Sequence, residues 1–424
     1  MREMKDSGVE WIGQIPKDWS ISPLKYNYEV VAGATPESSK SDYWDGDIVW
    51  ITPADFKTKD VYVERGSRYI TKLGFDSCST SIIPKGNIIF SKRAPIGSVV
   101  INSKDLCTNQ GCLSCINKDI NVNNKYYYYV LSIYTDVFEL FGSGTTFKEI
   151  SGNVFSNIIL PYPCVEVQNR IVNFLDEKCS EIDTLTSDIQ KQIDTLEQYK
   201  KSVITETVTK GLNPDAEMKD SGIEWVGQIP VSWHIHPVSI YFEERKNKNR
   251  LGKESNLLSL SYGQIIRKDI NTIGGLLPES FNTYNIVEKD DIIIRPTDLQ
   301  NDKRSLRTGL VKEHGIITSA YIGLKPKRFV CSAYFHYLLH VYDVMKVFYN
   351  MGNGVRQGLN YSEFAKLMLI APSFDEQQEI TDYLDKKCSE IDTIISDKKK
   401  QLEVITEYKK SLIYEYVTGK KEVM

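Results

Sequence analysis

Two long segments of the chain repeat apolar residues every seven positions. A second row of residues, four positions earlier, has the same period. Two rows with this spacing correspond to the a and d positions of a coiled-coil heptad. In the first segment the rows are Leu175, Ile182, Ile189, Leu196 and Val203, and Ile171, Lys178, Leu185, Gln192 and Tyr199. In the second segment they are Leu384, Ile391, Lys398, Ile405 and Leu412, and Ile380, Lys387, Ile394, Gln401 and Tyr408.

Each segment is predicted to be one continuous helix. No glycine or proline interrupts residues 165–209 or 374–418, and a helix of this size is about 66 Å long. The polar residues Lys178 and Gln192 recur as Lys387 and Gln401. A polar residue in a seam can set the register of paired helices, but these four also suit a solvated edge.

The helices belong to a longer internal repeat. MKDSGVEWIGQIPKDW at 4–19 returns as MKDSGIEWVGQIPVSW at 218–233, and residues 174–211 return at 383–420. The stretches between do not resemble each other. If the helices pair antiparallel as a coiled coil, two globules lie at opposite ends of a pseudo-twofold molecule. The rod then spans roughly two turns of B-DNA. The predicted segments are globules at 1–163 and 212–373 and helices at 164–211 and 374–424.

Both globules are predicted to have a mixed α/β fold. Strand-like β-branched runs occur at 48–53, 81–91 and 97–101, and again at 257–263 and 291–297. Aromatic-rich segments at 125–141 and 332–349 are predicted helices, with tyrosines in the core. A glycine loop follows each, at 141–151 and 351–361. Neither loop is a Walker A motif; each suits either amide contacts to phosphate or a helix C-cap.

Composition places the chain among globular proteins that are neither membrane-bound nor disulfide-rich. The 424 residues are 41% hydrophobic and carry a net charge of −4, which excludes a protein that coats nucleic acid by charge alone. The apolar runs are too short to span a bilayer, and the N-terminus lacks a signal-peptide core, so we predict a cytoplasmic protein. Cys107, Cys112 and Cys115 have no nearby histidine, which favours buried strand cysteines over a metal site.

Basic and amide residues cluster in the loops between predicted strands. Arginine, asparagine and glutamine can read base edges, whereas lysine mostly contacts phosphate. Segment 295–307 mixes both types and is the strongest candidate, although each residue also suits a solvated loop. The DNA-binding candidates are Lys57, Lys59, Arg65, Arg68, Lys92, Arg93, Thr145, Thr146, Lys148, Arg267, Lys268, Arg295, Thr297, Asn301, Lys303, Arg304, Arg307, Arg356 and Gln357.

No catalytic residue is predicted. The chain has no G-x-S-x-G elbow and no H-E-x-x-H motif. Its five histidines show no metal-ligand spacing. A repeat that conserves a scaffold while the globules differ favours a binding subunit.

The chain resembles the specificity subunits of type I restriction-modification systems. GATPESSKSDYWDGDIVWITPADF (33–56), SKRAPIGSVVI (91–101), TNQGC (108–112) and SGTTFKEIS (143–151) resemble one class of target recognition domain. LPYPCVEVQNRIVNFLD and LIAPSFDEQQEITDYLD resemble the family's entry into the long helices. The resemblance covers essentially the whole chain, with the second globule looking like a different recognition-domain type.

This resemblance implies a subunit without catalytic activity or cofactor. Each recognition domain would read one half of a bipartite, asymmetric site in double-stranded DNA, and the antiparallel helices would set the spacer. Two modification subunits, which bind S-adenosylmethionine and methylate adenine, would dock on the helices; restriction subunits using ATP and Mg²⁺ could join. Docking candidates are Glu181, Asp188, Tyr199, Lys200, Lys201, Glu390, Asp397, Tyr408, Lys409 and Lys410, although such residues also serve helix solubility.

Three other classes of protein remain open at this stage. A stand-alone transcription regulator or DNA-bridging protein would bind its site tightly without a partner. An adaptor whose globules bind peptides would not lose them to competing DNA. An enzyme with an unrecognised site would show turnover by itself.

Overall fold

The computed structural model describes residues 2–56, 60–93, 95–142, 148–270, 280–297, 299, 306–351 and 358–423. The chain divides into two compact units, Met1–Gln190 with Lys400–Met424, and Lys191–Lys399. Each long helix contributes one part to each unit. The units therefore differ from the predicted segments, which kept globules and helices apart.

In the first unit the repeated N-terminal segment forms a hairpin, followed by a mixed α/β globule and the first part of a long helix. The strands are β1 (Met4–Asp6), β2 (Gln14–Pro16), β3 (Ser20–Pro23), β4 (Tyr28–Ala32), β5 (Trp44–Ile51), β6 (Tyr62–Val63), β7 (Arg68–Ile70), β8 (Ile88–Ser91), β9 (Val99–Asn102), β10 (Cys107–Thr108), β11 (Cys112–Asn117) and β12 (Ile159–Tyr162). The helices are α1 (Leu24–Asn27), α2 (Lys72–Asp76), α3 (Asn124–Ser132), α4 (Thr135–Phe141), α5 (Gly152–Ser156) and α6 (Val165–Lys210), with 3-10 turns at Ser41–Tyr43 and Pro53–Asp55.

The second unit repeats this order. The strands are β13 (Met218–Asp220), β14 (Gln228–Pro230), β15 (His234–Pro237), β16 (Phe242–Glu244), β17 (Leu258–Ser261), β18 (Gln264–Arg267), β19 (Asn285–Val287), β20 (Ile292–Ile294), β21 (Thr308–Leu310), β22 (Gly315–Ile317), β23 (Ile322–Pro326) and β24 (Met368–Ala371). The helices are α7 (Val238–Tyr241), α8 (Ser332–Val344), α9 (Tyr361–Phe364) and α10 (Phe374–Val417), with a 3-10 turn at Val347–Asn350.

The two globules share one sheet scaffold although their sequences differ. The antiparallel order β4-β11-β8-β9 in the first unit matches β16-β23-β20-β21 in the second. The pairs β3–β12 and β15–β24 also correspond. In the first unit β6 extends the main sheet, and β10-β5-β7 forms a separate one. The two unlike stretches thus vary around the same internal framework.

Both predicted long helices are confirmed. α6 has 46 residues and α10 has 44. Proline precedes each start, and Ser373 accepts a hydrogen bond from the Glu376 backbone N–H at 3.3 Å as α10 begins. The helices run into Gly211 and Gly419, whose φ values of 76° and 72° are left-handed. This is the backbone conformation that ends a helix most easily at glycine.

A buried glutamine joins each globule to the first turns of its helix. The side chain of Gln168 donates to the Pro163 carbonyl at 2.8 Å and accepts from the Asn123 backbone N–H at 2.8 Å. Gln377 occupies the equivalent position in α10 and donates to the Pro372 carbonyl at 3.0 Å. Because both amides are buried and hydrogen-bonded, each fixes where its helix leaves the globule.

One row of the predicted heptads is wrong. The row containing Leu175 and Ile189 is buried as predicted, but in the other row Leu185 is 50% exposed and Tyr199 49%. The partner row, whose members are buried or half-buried, lies four residues after the Leu175 row. Its members in the two helices are Cys179, Thr186, Ile193 and Lys200, and Cys388, Ile395, Leu402 and Lys409.

A seven-residue repeat explains this error, because a row has two possible partner rows, four residues before it or four after. Only the first members of the predicted row, Ile171 and Ile380, are buried, and both belong to the globule cores.

Other predicted elements are present with altered bounds. The segment predicted as one helix at 125–141 forms α3 and α4, with Ile133 and Tyr134 between them. Tyr126, Tyr127 and Tyr129 are buried, which confirms the core role predicted for the tyrosines. The predicted strand at 81–91 is shortened to β8, after Pro84 and the left-handed Gly86. Residues 143–147 and 352–357 of the two glycine loops lie outside the described residues.

Candidate nucleic-acid interface

Four loop segments of the first unit meet at one edge of the β10-β5-β7 sheet. β5 and β10 are parallel, with Ile51 opposite Thr108, so the residues that follow these strands lie side by side. β7 is antiparallel to β5, with Arg68 opposite Trp50, so the residues that precede β7 arrive at the same edge. The backbone N–H of Asn109 donates to the Ile51 carbonyl at 2.9 Å. We call this edge, formed by residues 33–35, 52–55, 65–68 and 109–111, the loop edge of the first unit.

The loop edge is held by close backbone contacts. The carboxylate of Asp55 accepts from the backbone N–H groups of Thr52 and Ser67, each at 2.8 Å. A Cβ on Gly33 would lie 2.3 Å from the Thr108 carbonyl oxygen, so only glycine allows this approach. The loops are therefore positioned by the scaffold, as specific contacts require.

Amide side chains at this edge were not among the predicted residues. Gln110 is exposed and its Oε1 accepts a hydrogen bond from the Thr35 hydroxyl. Asn109 beside it uses Oδ1 to accept from the Gly111 backbone N–H at 2.9 Å. A glutamine amide can pair with adenine in the major groove. The signal was present in the sequence, because both amides lie within the TNQGC segment that carried the family resemblance.

Arg65 and Arg68 project from the loop edge, as the prediction requires of DNA-contacting residues. Both are exposed. The guanidinium carbon of Arg68 lies 3.4 Å from the ring centroid of buried Trp44. Stacking on an aromatic ring restricts the guanidinium and leaves its edge N–H groups available to an acceptor.

The basic pair after β8 is compensated by an acidic residue. Lys92 Nζ and Arg93 Nε lie 2.7 Å from separate oxygens of Glu149. The hydrogen bond from Lys92 is the largest influence that lowers the pKa of Glu149, so the carboxylate stays ionised. The Lys92 side chain is mostly buried, whereas Arg93 and Lys148 are exposed. Lys57, Lys59, Thr145 and Thr146 lie outside the described residues.

In the second unit, candidates gather where β20 ends and β21 begins. Arg295 and Thr297 are exposed. The prediction that Arg307 presents its side chain to DNA is corrected, because only 4% of this residue is exposed. Its Nη1 donates to the carbonyls of Thr297 at 2.5 Å and Arg295 at 3.2 Å. Arg307 therefore supports the loop from within instead of presenting its charge to DNA. Asn301, Lys303, Arg304, Arg356 and Gln357 lie outside the described residues.

A second cluster of charges surrounds β18. Arg267 and Lys268 are exposed, and Arg267 Nε donates to Glu313 at 2.7 Å. The neighbouring His314 places Nε2 at 2.8 Å from Glu254 and Nδ1 at 2.9 Å from Glu288. Glu288 is the largest influence that raises the pKa of His314. An imidazolium can donate to both carboxylates at once, whereas a neutral ring can donate to only one.

Two of the predicted docking lysines instead join helix to helix. In the first unit Lys409 Nζ lies 2.6 Å from Asp183. In the second unit Lys200 Nζ lies 2.6 Å from Asp392, the equivalent pair of the repeat. These side chains are 29% and 28% exposed, so their charges are largely engaged within the chain.

The remaining docking candidates divide between paired charges and open aromatics. Lys410 pairs with Asp136 at 3.0 Å, Glu181 with Lys178 at 2.9 Å and Glu390 with Lys387 at 3.6 Å. Lys201, Asp188 and Asp397 are exposed. Tyr199 and Tyr408, at equivalent positions, are also exposed, and so are the equivalent Leu185 and Ile394. We call these four residues the duplicated apolar positions.

Comparison with known proteins relates the chain to one family. A family profile described as type I restriction modification DNA specificity domain matches residues 16–195. The MjaIX specificity subunit of a type I restriction enzyme from Methanocaldococcus jannaschii is 40% identical over 190 residues, 44% of this chain and 43% of that relative. The putative MjaX specificity subunit from the same organism is 24% identical over 97% of this chain and 96% of its own length.

These matches make the chain similar to the specificity subunits of type I restriction enzymes. The match to the Escherichia coli EcoR124I/EcoR124II specificity subunit is weaker, at 28% identity over 44% of this chain and 43% of that relative. The matched profile and relatives are named for DNA specificity, in agreement with the predicted recognition role.

Two solved structures share the fold of this chain. A chain from a study of complex assembly and conformational transition in a type I R-M system has a TM-score of 0.71 and 13% identity, covering 95% of this chain and 98% of that one. The HsdS subunit from Thermoanaerobacter tengcongensis has a TM-score of 0.53, also at 13% identity, covering 96% and 98%.

Two further features bear on other classes of site. Within the described ranges, no helix is long and apolar enough to cross a membrane, and no group of three or more His, Cys, Asp or Glu side chains could hold a metal ion. Cys107, Cys112 and Cys115 are buried in strands. Burial raises the pKa of all three thiols, that of Cys107 to about 11, which supports their interpretation as core residues.

Proposed function

We propose that this chain is a specificity subunit that recognises a bipartite, asymmetric site in double-stranded DNA, and that each unit reads one half. The observation that carries the proposal is the shared scaffold. Both units build the same four-stranded antiparallel order but place different side chains in the loops at its edges. Two recognition domains with the same scaffold but different loop side chains would recognise different half-sites. In the first unit, the loop edge offers Arg65, Arg68 and Gln110 for this purpose.

We further propose that α6 and α10 pair antiparallel as a coiled coil and set the spacer between the half-sites. In the first unit the ring of Phe174 contacts that of Tyr416, and Asp183 pairs with Lys409. In the second unit Gln192 accepts from Lys398 at 2.6 Å, and Lys200 pairs with Asp392. In both units the partner's number falls as the residue number in α6 rises, which is the register of antiparallel helices. Recognition domains at 1–163 and 212–373 and helices at 164–211 and 374–424 remain the proposed division.

Two modification subunits are the proposed partners on the helices. The duplicated apolar positions support this, because the repeat preserves exposed apolar side chains at matching places in both copies. Exposed apolar groups preserved in this way suit two copies of one partner. That partner would bind S-adenosylmethionine and methylate adenine, and restriction subunits using ATP and Mg²⁺ could join. This chain would itself bind no cofactor.

The decisive experiment is co-expression with the modification subunit, followed by base-resolution mapping of methylated adenine. A split motif with two unlike halves is expected. Exchanging the first globule for that of another specificity subunit should change one half only. A soluble complex that adds no methylation would contradict the proposal and favour a regulator or adaptor.

The docking proposal has its own test. Tyr199→Ala with Tyr408→Ala should reduce co-purification of the modification subunit, because aromatic side chains dominate many interfaces. Gln198→Ala with Glu407→Ala is the matched control, since these residues are exposed neighbours at equivalent positions. Equal recovery of the partner with both double variants would exclude the aromatic pair from the interface.

A further inference from the structure

The second unit contains a groove at the end of α6. Its cavity volume is about 920 Å³. Its walls include Tyr199, Val203 and Thr207 from α6, Leu212 from the following segment, and Tyr383 from α10. All of these residues belong to the second unit. Tyr199 and Tyr383 keep 49% and 41% of their surface exposed, so the groove presents two aromatic side chains.

The repeat shows which group is missing from this groove. The equivalent of Thr207 is Tyr416, and the equivalent of Tyr383 is Phe174. In the first unit these two rings contact each other, with centroids 4.4 Å apart and planes 37° apart. Thr207 has no ring, so Tyr383 lacks the aromatic contact that the first unit makes within the chain. The duplicated halves differ at several residues around this groove, and the change from Tyr416 to Thr207 is the one that removes an aromatic ring.

The chemistry of an occupant follows from this difference. An aromatic ring packs against the residue at position 174 in the first unit, and the same geometry is open to a ring supplied from outside at Tyr383. Glu206 and Lys210 also line the groove, so its wall carries polar groups beside the apolar ones. Aromatic side chains that enter such concave sites are typical anchors of protein interfaces.

We infer that this groove binds an aromatic side chain of the modification subunit. The inference rests on the proposed function, because Tyr199 belongs both to the groove wall and to the duplicated apolar positions. It goes further by making the two partner copies unequal. The copy on the second unit gains an anchor that the copy on the first unit cannot use, because Tyr416 already occupies the equivalent place.

Filling the groove from within the chain tests this inference. Thr207→Tyr would reproduce the first unit and exclude an external ring. Thr205→Tyr is the matched control, since Thr205 is the equivalent of Tyr414 and does not line the groove. The full-length chain is titrated with purified modification subunit and followed by calorimetry and native mass spectrometry.

The unsubstituted chain is expected to bind two copies with different affinities. Thr207→Tyr should weaken the tighter site about tenfold and leave the other unchanged, while Thr205→Tyr alters neither. Tyr383→Ala provides a second variant that is less demanding for folding, because its ring is already partly exposed; it should weaken the same site.

The outcomes separate this inference from the function on which it rests. If the unsubstituted chain binds no modification subunit, the proposed function fails and the groove assignment fails with it. If two copies bind and neither Thr207→Tyr nor Tyr383→Ala changes either affinity, only the groove assignment is overturned. Loss of one affinity class in both variants, with the control unchanged, supports it.

Discussion

Basic loop residues have different environments in this protein, and the groups nearest to each side chain determine whether its charge is exposed or paired. Arg68 stacks on Trp44 and remains exposed. Lys92 is neutralised by Glu149, and Arg307 is buried against two carbonyls. Burying a charge is costly unless it is paired or hydrogen-bonded, so the two covered residues take structural roles. The exposed residues at the loop edge remain the predicted contacts to bases.

Gln110 is expected to contribute to recognition of the first half-site. Gln110→Ala should lower affinity for the cognate site by roughly ten- to a hundredfold, with little change on unrelated DNA, because a base contact contributes about 1–3 kcal/mol of discrimination. Fluorescence anisotropy with the assembled complex measures both affinities. Lys85→Ala is the control, since Lys85 is exposed and precedes β8, at the strand end opposite Lys92. A uniform loss on both DNAs would assign Gln110 to the backbone instead.

His314 gives the second unit a pH-dependent contribution to stability. Its pKa is raised by Glu288 and Glu254, so the folded state holds the proton more tightly than the unfolded chain, whose value is near 6.5. The stabilisation is complete below about pH 6.5 and is lost as pH rises through the folded pKa. Because the ring is half exposed, the shift in melting temperature should be no more than about 4 °C.

His314→Gln should remove this dependence. Melting curves recorded between pH 5.5 and 8.5 would show a wild-type minus variant difference that shrinks as pH rises. A constant difference across that range would show that the ring packs in the structure without titrating in it.

At the scale of elements, the long helices show how a heptad pattern can be read in two ways. The Leu175 row is right, and its partner row follows it instead of preceding it. Small or polar side chains such as Cys179 and Thr186 occupy the buried row, while Leu185 remains outside. Apolarity alone therefore favoured the exposed row, and contacts within each unit selected the other.

Truncation of each row distinguishes the two heptad assignments. Ile193→Ala should destabilise the protein by about 2–4 kcal/mol, because the buried side chain leaves a cavity. Leu185→Ala should change stability by less than ~0.5 kcal/mol, as expected of exposed positions. Urea unfolding followed by helical circular dichroism compares them. A larger loss for Leu185→Ala than for Ile193→Ala would restore the original heptad assignment.

For the whole molecule, the duplication separates what is repeated from what varies. The hairpins, the four-stranded order, the buried glutamines and the Lys–Asp pairs of the helices recur in both units. The loops at the sheet edges do not recur. A shared scaffold with different loops suits two recognition domains that bind different half-sites. The repeated helices are therefore the proposed determinant of the spacing between the half-sites.

Shortening both helices tests this role. Deleting residues 185–191 and 394–400 removes one heptad from each helix and retains the Asp183–Lys409 and Lys200–Asp392 pairs. The helices shorten by about 10 Å, equivalent to roughly three base pairs. Methylation mapping should then show the same half-sites with a shorter spacer. An unchanged spacer would remove the helices from the determination of distance.

The sequence alone was sufficient for the repeat, the two continuous helices and the resemblance to the family. These features depend on periodicity and on short motifs, and both can be recognised from residues that are close together in the sequence. It also predicted the mixed α/β globules and the buried tyrosines, since strand and core preferences are local. The buried glutamines at 168 and 377 were not predicted, because the sequence does not distinguish a buried amide side chain from a solvated one.

Tertiary structure decided which side of each element is used. Partners distant in sequence determine which heptad row is buried and why Arg307 is buried. They also determine that Lys200 and Lys409 each pair with an aspartate of the other helix. The sequence around these residues does not show which partners they will meet. The convergence of Gln110 with Arg65 at one sheet edge required the parallel pairing of β5 and β10. Periodicity predicts the secondary-structure elements of this protein. Contacts between residues distant in sequence determine which side chains stay exposed and available to DNA or a partner subunit.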